Sequence, residues 1–294
     1  MIEPATENLL TRFWPYARNR LISPQPSRLM KHPFYSYLAR SCATVAFAVL
    51  IGASPTPAFA DETPQSLPLG RNWSSPALIT RNNDWSGVPG FMGYRGTGLA
   101  SAPGANPQTI TANDNSGQPF VLANKNKPNT LRTGGVAEFD GISDPVIALK
   151  GSATASAPYV LLNLNTKGHQ GVVVSYNLRD IDSSGADAIQ PIAFQYRVGT
   201  NGNFVNLASA FVADASSGPN LATLVTPVNV TLPAECDDQP LVQVRWITAN
   251  AIGDDEWIGI DDISVVADGP SAAPAGPEPK TIPVGKTAKP RTAK

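Results

Sequence analysis

Cysteine is nearly missing from this sequence. Only Cys42 and Cys236 occur, and Cys42 falls beside an apolar N-terminal run. A chain trimmed of that run has no pair from which to form an internal disulfide. Cys236 is flanked by Glu235, Asp237 and Asp238, whose charges disfavour the thiolate that a nucleophile needs. Histidine is as scarce. Of His32 and His169, only His169 lies outside the N-terminal region, in the turn-forming Lys167-Gly168-His169-Gln170-Gly171. That setting suits a solvated loop histidine better than a general base. The Gly-x-Ser-x-Gly elbow, His-Glu-x-x-His, the phosphate-binding Gly-rich loop and paired cysteine motifs are all absent, which removes the usual sequence marks of acyl transfer, zinc hydrolysis and nucleotide chemistry. A hydrolase needing only Asp and Glu stays open as a third reading.

Charge is also sparse, at 15% of residues, whereas 24 glycines and 28 prolines punctuate the chain. No stretch of useful length repeats its apolar residues every 3.6 positions, so helices are not expected. Short strands between turn residues are expected instead. The expected strands are 77–80, 108–112, 119–123, 136–139, 146–149, 159–164, 171–180, 192–198, 204–207, 222–232, 241–248 and 256–266, with 85–96 as ordered loop. Such spacing predicts an all-β fold, a single β-sandwich or jelly roll with a disordered C-terminal tail.

The ends have a different composition. From Met30, a basic segment to Arg40 is followed by the apolar run Ala43–Ala53 and by Ala58-Phe59-Ala60, the order of an export signal too short to span a bilayer. The expected organisation is therefore an upstream mis-start over 1–29, a signal peptide over 30–60, a short linker over 61–72, the sandwich over 73–267 and a Pro/Ala/Lys-rich tail over 268–294. The expected location is secreted or periplasmic, with no membrane span after signal removal. Residues 61–267 hold 11 Lys and Arg against 19 Asp and Glu, a net charge of −8, which disfavours nucleic acid as a partner.

Two polar sets are candidates for a site. The last strand interrupts its own apolar rhythm with Asp261-Asp262 between Ile260 and Ile263, behind Asp254-Asp255. Buried carboxylates need a cation, a hydrogen-bonded turn or a sheet edge. Asp254, Asp255 and Asp261 are thus expected ligands of one structural Ca²⁺, which takes 6–8 oxygens; turn-stabilising aspartates are the alternative. The second set follows from two-residue alternation. Val172, Val174, Tyr176 and Leu178 face one way, as do Phe194, Tyr196 and Val198, and Val242, Val244 and Trp246. Asn177, Arg179, Gln195, Arg197, Gln243 and Arg245 then face the other way. In one sheet they would form a single polar face able to grip an acidic or hydroxyl-rich glycan. A solvated outer face, or arginines tied to carboxylates such as Asp182 and Asp214, are the alternatives.

The stretches Asn177–Asp182, Gln195–Gly199, Phe211–Asp214 and Asp255–Ile263 occur in this order. Together they resemble a jelly-roll accessory module of large secreted bacterial proteins, often found beside extracellular nuclease, phosphoesterase or repeat domains. The ending Ile260-Asp261-Asp262-Ile263-Ser264-Val265 is also similar to the final strand of carbohydrate-binding jelly rolls, in which an Asp helps hold structural calcium. With the missing catalytic motifs, the expected function is an exported, non-catalytic binding or accessory module whose partner is an extracellular glycan or protein. A structural or adhesive module that binds another protein is the alternative.

Overall fold

A computed structural model of the protein describes residues 60–270, Ala77, Asn115 and Ser116 excepted. The expected mis-start, nearly all of the expected signal and most of the expected tail lie outside these residues. The described chain forms twelve strands: β1 (Gln65–Ser66), β2 (Leu69–Arg71), β3 (Phe91–Tyr94), β4 (Gly135–Phe139), β5 (Val146–Lys150), β6 (Tyr159–Asn165), β7 (His169–Asp180), β8 (Ala193–Val198), β9 (Val205–Asn206), β10 (Val225–Thr231), β11 (Val242–Ile247) and β12 (Ile258–Pro270). Among the described residues, helix is limited to four single 3-10 turns, and no helix is long and apolar enough to cross a membrane.

The strands form two six-stranded sheets. The first runs β1-β6-β11-β8-β9, with β3 also on β6; the second runs β10-β7-β12-β5-β4, with β2 also on β12. Their facing sides make the main core. Val160, Leu162, Phe194, Val242, Val244 and Trp246 come from the first sheet, and Val172, Val174, Tyr176, Leu178, Ile258 and Ile260 from the second. Two-residue alternation delivers these side chains to one side of each strand. Tyr176, Phe194 and Trp246 meet across the gap with ring centroids 5.2–5.6 Å apart. Burying each such ring contributes about 1.5–3 kcal/mol. The architecture is an all-β sandwich.

Several boundaries differ from expectation. Residues 61–72, expected as linker, carry β1 on β6 and β2 on β12. The 85–96 stretch, expected as loop, contains β3. Residues 107–109 form a 3-10 turn rather than a strand, and Leu122 makes only an isolated bridge to Ala137.

β12 pairs with β7 along one edge. Its other edge pairs first with β5 through residues 258–260 and then with β2 through residues 263–265. At that changeover the β12–β7 register slips between Asp261 and Ser264, and Asp262 takes φ +49°. Asp261 Oδ1 accepts a bond from the Asp262 amide at 2.8 Å. The break in apolar rhythm is thus a β-bulge. An Asp in the left-handed region is tolerable because its short polar side chain bonds locally. Here that side chain accepts 2.9 Å from Asn177 Nδ2.

Candidate functional site

The six residues expected on one polar face occupy two sheets. Asn177 and Arg179 stand on β7 in the second sheet, because β7 pairs with β10 and β12 rather than with β8 or β11. The Arg179 guanidinium bonds Asp261 at 2.6 Å and Asp144 at 3.0 Å. This arginine ties its sheet together, as the structural alternative holds.

The expected calcium ligands are not brought together. Asp261 already faces the Arg179 cation, and burial pushes its carboxyl above the ordinary range despite that partner. Asp254 is exposed and lies 3.6 Å from Arg132. Asp255 accepts a bond from the Ala251 amide at 2.8 Å, and burial pushes its carboxyl up to about 6. Among the described residues no group of three His, Cys, Asp or Glu is placed to hold a metal, and each of these aspartates has its own separate partner. A different acidic group is buried near Lys150, whose ammonium bonds Asp182 at 3.0 Å. Glu256 beside it is 2% exposed with neither carboxylate oxygen hydrogen-bonded. Burial, then the charge of Asp182, pushes its carboxyl up to about 8.

Gln195, Arg197, Gln243 and Arg245 do converge. Register places Gln243 between Asn163 and Arg197, and Arg245 between Leu161 and Gln195. One row of polar side chains therefore crosses β6, β11 and β8, and a second spans β11 and β8 with Leu161 as its neighbour on β6. In one row, Arg197 Nε donates to Gln243 Oε1 at 2.7 Å, Gln243 Nε2 to Asn163 Oδ1 at 2.8 Å, and Asn163 Nδ2 to the Glu62 carbonyl at 2.9 Å. In the other row, Arg245 Nε donates to Gln195 Oε1 at 2.8 Å, and Gln195 Nε2 donates to the Pro107 carbonyl at 3.0 Å.

This outer face is neither solvated nor ion-paired. The connection after β3 lies over it, packing Ile110, Leu99 and Ala105 against Tyr159, Leu161 and Phe204. The Arg245 guanidinium is fully buried and clamps that connection by donating to the Ile110 and Ala112 carbonyls at 2.6 and 2.9 Å. It lies 3.9 Å from the Phe204 ring centroid and 4.9 Å from that of Tyr159. Among the described residues neither Arg245 nor Arg197 has a carboxylate within ion-pair distance. Burial consequently lowers Arg245 to about 9 and lowers Arg197 as well. Carbonyl dipoles and ring faces replace the missing counter-ion.

Beside this clamp the face opens into a cavity of about 210 Å³, lined by Arg197, Gln243, Tyr94, Tyr159, Phe204 and Asp114, with Glu62 at its rim. Tyr94 and Tyr159 stack at 4.9 Å and 23°, and Arg197 lies 4.3 Å from the Phe204 ring centroid. The Asp114 carboxylate accepts from the Gly96 amide at 2.9 Å. Burial pushes the Tyr159 hydroxyl up to about 12, so it remains a neutral donor and acceptor. β3 aims Tyr94 here because Gly93 turns inward. A Cβ at Gly93 would lie 2.6 Å from both the Phe120 carbonyl and the Trp85 ring.

Composition and motif spacing missed Tyr94, Tyr159, Phe204, Asp114 and Glu62. Alternation across Phe91-Met92-Gly93-Tyr94 would have placed Met92 and Tyr94 on the same side. Cys236 is buried, and its thiol is pushed up to about 12 by burial and the neighbouring carboxylates.

No protein family and no curated protein matches the sequence. Among solved structures, the chain is similar to a K1 cleaved adhesin domain of Lys-gingipain from Porphyromonas gingivalis, at 13% identity over 69% of this chain and 99% of that one, with TM-score 0.36. A family 11 carbohydrate-binding module from Clostridium thermocellum, in complex with a mixed-linked tetrasaccharide, matches at 9% identity over 47% and 85%, TM-score 0.30. A Stig cyclase from Fischerella matches at 11% identity over 69% and 100%, TM-score 0.37. All three scores fall below 0.5, so the fold assignment rests on the two sheets themselves.

Proposed function

We propose that this domain is an exported, non-catalytic binding module and that a hydroxyl-rich sugar ring is held in the cavity on the outer face of the first sheet. One observation carries this reading: Arg197 and Gln243, with no carboxylate partner for the arginine among the described residues, line the same cavity as the stacked pair Tyr94 and Tyr159. An aromatic wall accepts the C–H face of a sugar, while guanidinium and amide donors with a carboxylate acceptor match its hydroxyls. The volume is below that of drug-sized pockets, which points to one ring rather than a buried chain. Export is supported by the basic, apolar and Ala58-Phe59-Ala60 segments of the leader.

The rival, a module that contacts another protein, draws on Ile189 and Ile252. They are 69% and 79% exposed beside an alanine-rich cleft of about 420 Å³. Calorimetry with neutral oligosaccharides separates the two readings. Binding by the parent protein, lost at least tenfold in Tyr94→Ala with an unchanged melting temperature, supports the sugar site. Absence of binding across neutral and acidic panels, or binding unaffected by Tyr94→Ala, removes it.

A further inference from the structure

The sugar cavity does not end at Tyr94. A larger cavity of about 660 Å³ shares Glu62 and Gly117 with it and adds Asn82, Asn83, Arg95, Thr97 and Phe120 to the lining. The two adjoin at these shared residues, so a ligand long enough to reach from one to the other would meet a cleft in two halves. Tyr94, the last residue of β3, lines the smaller half, and Arg95, the residue after it, lines the larger.

The second half is rich in fixed donors. Arg95 is exposed, yet it lies 3.9 Å from the Phe120 ring centroid. Phe120 is itself held by its amide, which donates to the Gly93 carbonyl at 2.7 Å. Among the described residues no carboxylate pairs with Arg95. Asn82 and Asn83 use their carbonyl oxygens to accept from the Ala123 and Val121 amides at 2.9 and 3.3 Å. Their NH₂ ends are therefore turned away from that backbone, with no partner among the described residues. A guanidinium and two amide donors beside one another call for an acceptor-rich, negative group, and the fork of an arginine matches a carboxylate. Glu62, at the junction, supplies an acceptor suited to a hydroxyl between the two halves.

We infer that the cleft takes an acidic oligosaccharide, with one ring on Tyr94, Tyr159 and Arg197 and the carboxylate of an adjoining uronic acid on Arg95, Asn82 and Asn83. This inference rests on the sugar-site reading above and adds the ligand's charge and length.

The test compares three probes on the full chain by calorimetry: trigalacturonate, the same trimer with its carboxylates reduced to alcohols, and monomeric galacturonate. The acidic trimer is expected to bind at least tenfold more tightly than either of the others. Raising the salt should narrow its advantage, because an exposed charge pair is screened. In Arg95→Gln, which leaves the buried face untouched, the ratio of acidic to neutral trimer should fall to about one. Equal affinity for acidic and neutral trimers in the parent protein would overturn the inference while leaving the sugar site standing. So would a tenfold preference retained in Arg95→Gln. Failure of all three probes to bind would overturn both.

Discussion

The two outer faces of this sandwich solve the same problem differently. On the second sheet, Arg179 stands beside carboxylates and is fixed by Asp261 and Asp144. On the first sheet, Arg197 and Arg245 have no carboxylate partner among the described residues and are held by backbone carbonyls, amide side chains and aromatic rings. Strand parity is alike in both cases. The difference lies in what covers each face. An ion pair consumes both charges and leaves little for a ligand. A guanidinium bound only to dipoles keeps its charge, and on the first face that charge borders a cavity.

The largest expected effect breaks the clamp. Arg245→Ala removes bonds to the Ile110 and Ala112 carbonyls and leaves a void beneath the connection after β3. A loss of about 3–5 kcal/mol, read by denaturant unfolding, is expected from a buried group with this many charged hydrogen bonds. Arg179→Ala should cost about 2 kcal/mol at neutral pH, less than a fully enclosed pair, because its guanidinium keeps some solvent contact. Its cost should shrink as pH falls, since the stranded Asp261 can take up a proton. The Arg245→Ala cost should stay nearly constant, because no carboxylate among the described residues pairs with that arginine. Equal pH profiles for the two variants would erase the distinction between the faces.

A smaller effect sharpens the contrast with Glu256, a buried carboxylate that has neither kind of hydrogen-bonded partner among the described residues. Its folded value, near 8, lies above the ordinary 4.5. Its contribution to stability is therefore complete below about pH 4.5 and lost progressively as pH rises to about 8. Glu256→Gln keeps the shape without the charge. The variant should gain melting temperature relative to the parent as pH rises through that window, with little difference at pH 4. A constant difference across pH would mean that Glu256 finds a partner in solution.

Much of this frame was legible in the sequence. Alternation in Val172–Leu178, Phe194–Tyr196 and Val242–Trp246 selected the core-facing side chains, because a two-residue period is a local property. Sheet membership was not legible, since β7 joins the second sheet through long-range pairing with β10 and β12. Asp261 and Asp262 announced an irregularity, but a bulge and a cation site leave the same mark on a sequence. The cover over Arg245 was equally hidden. Residues 99–114 carry no period, and their grip on the sheet depends on carbonyls that every residue possesses.

The central claim is that the ligand meets the first face and not the second. Backbone and side-chain NMR shifts, followed while a bound oligosaccharide is titrated into the labelled protein, test it most directly. The largest changes are expected at Tyr94, Tyr159, Arg197 and Gln243, with Asn177, Arg179 and Asp261 unmoved. Changes concentrated on Asn177, Arg179 and Asp261 instead would contradict it.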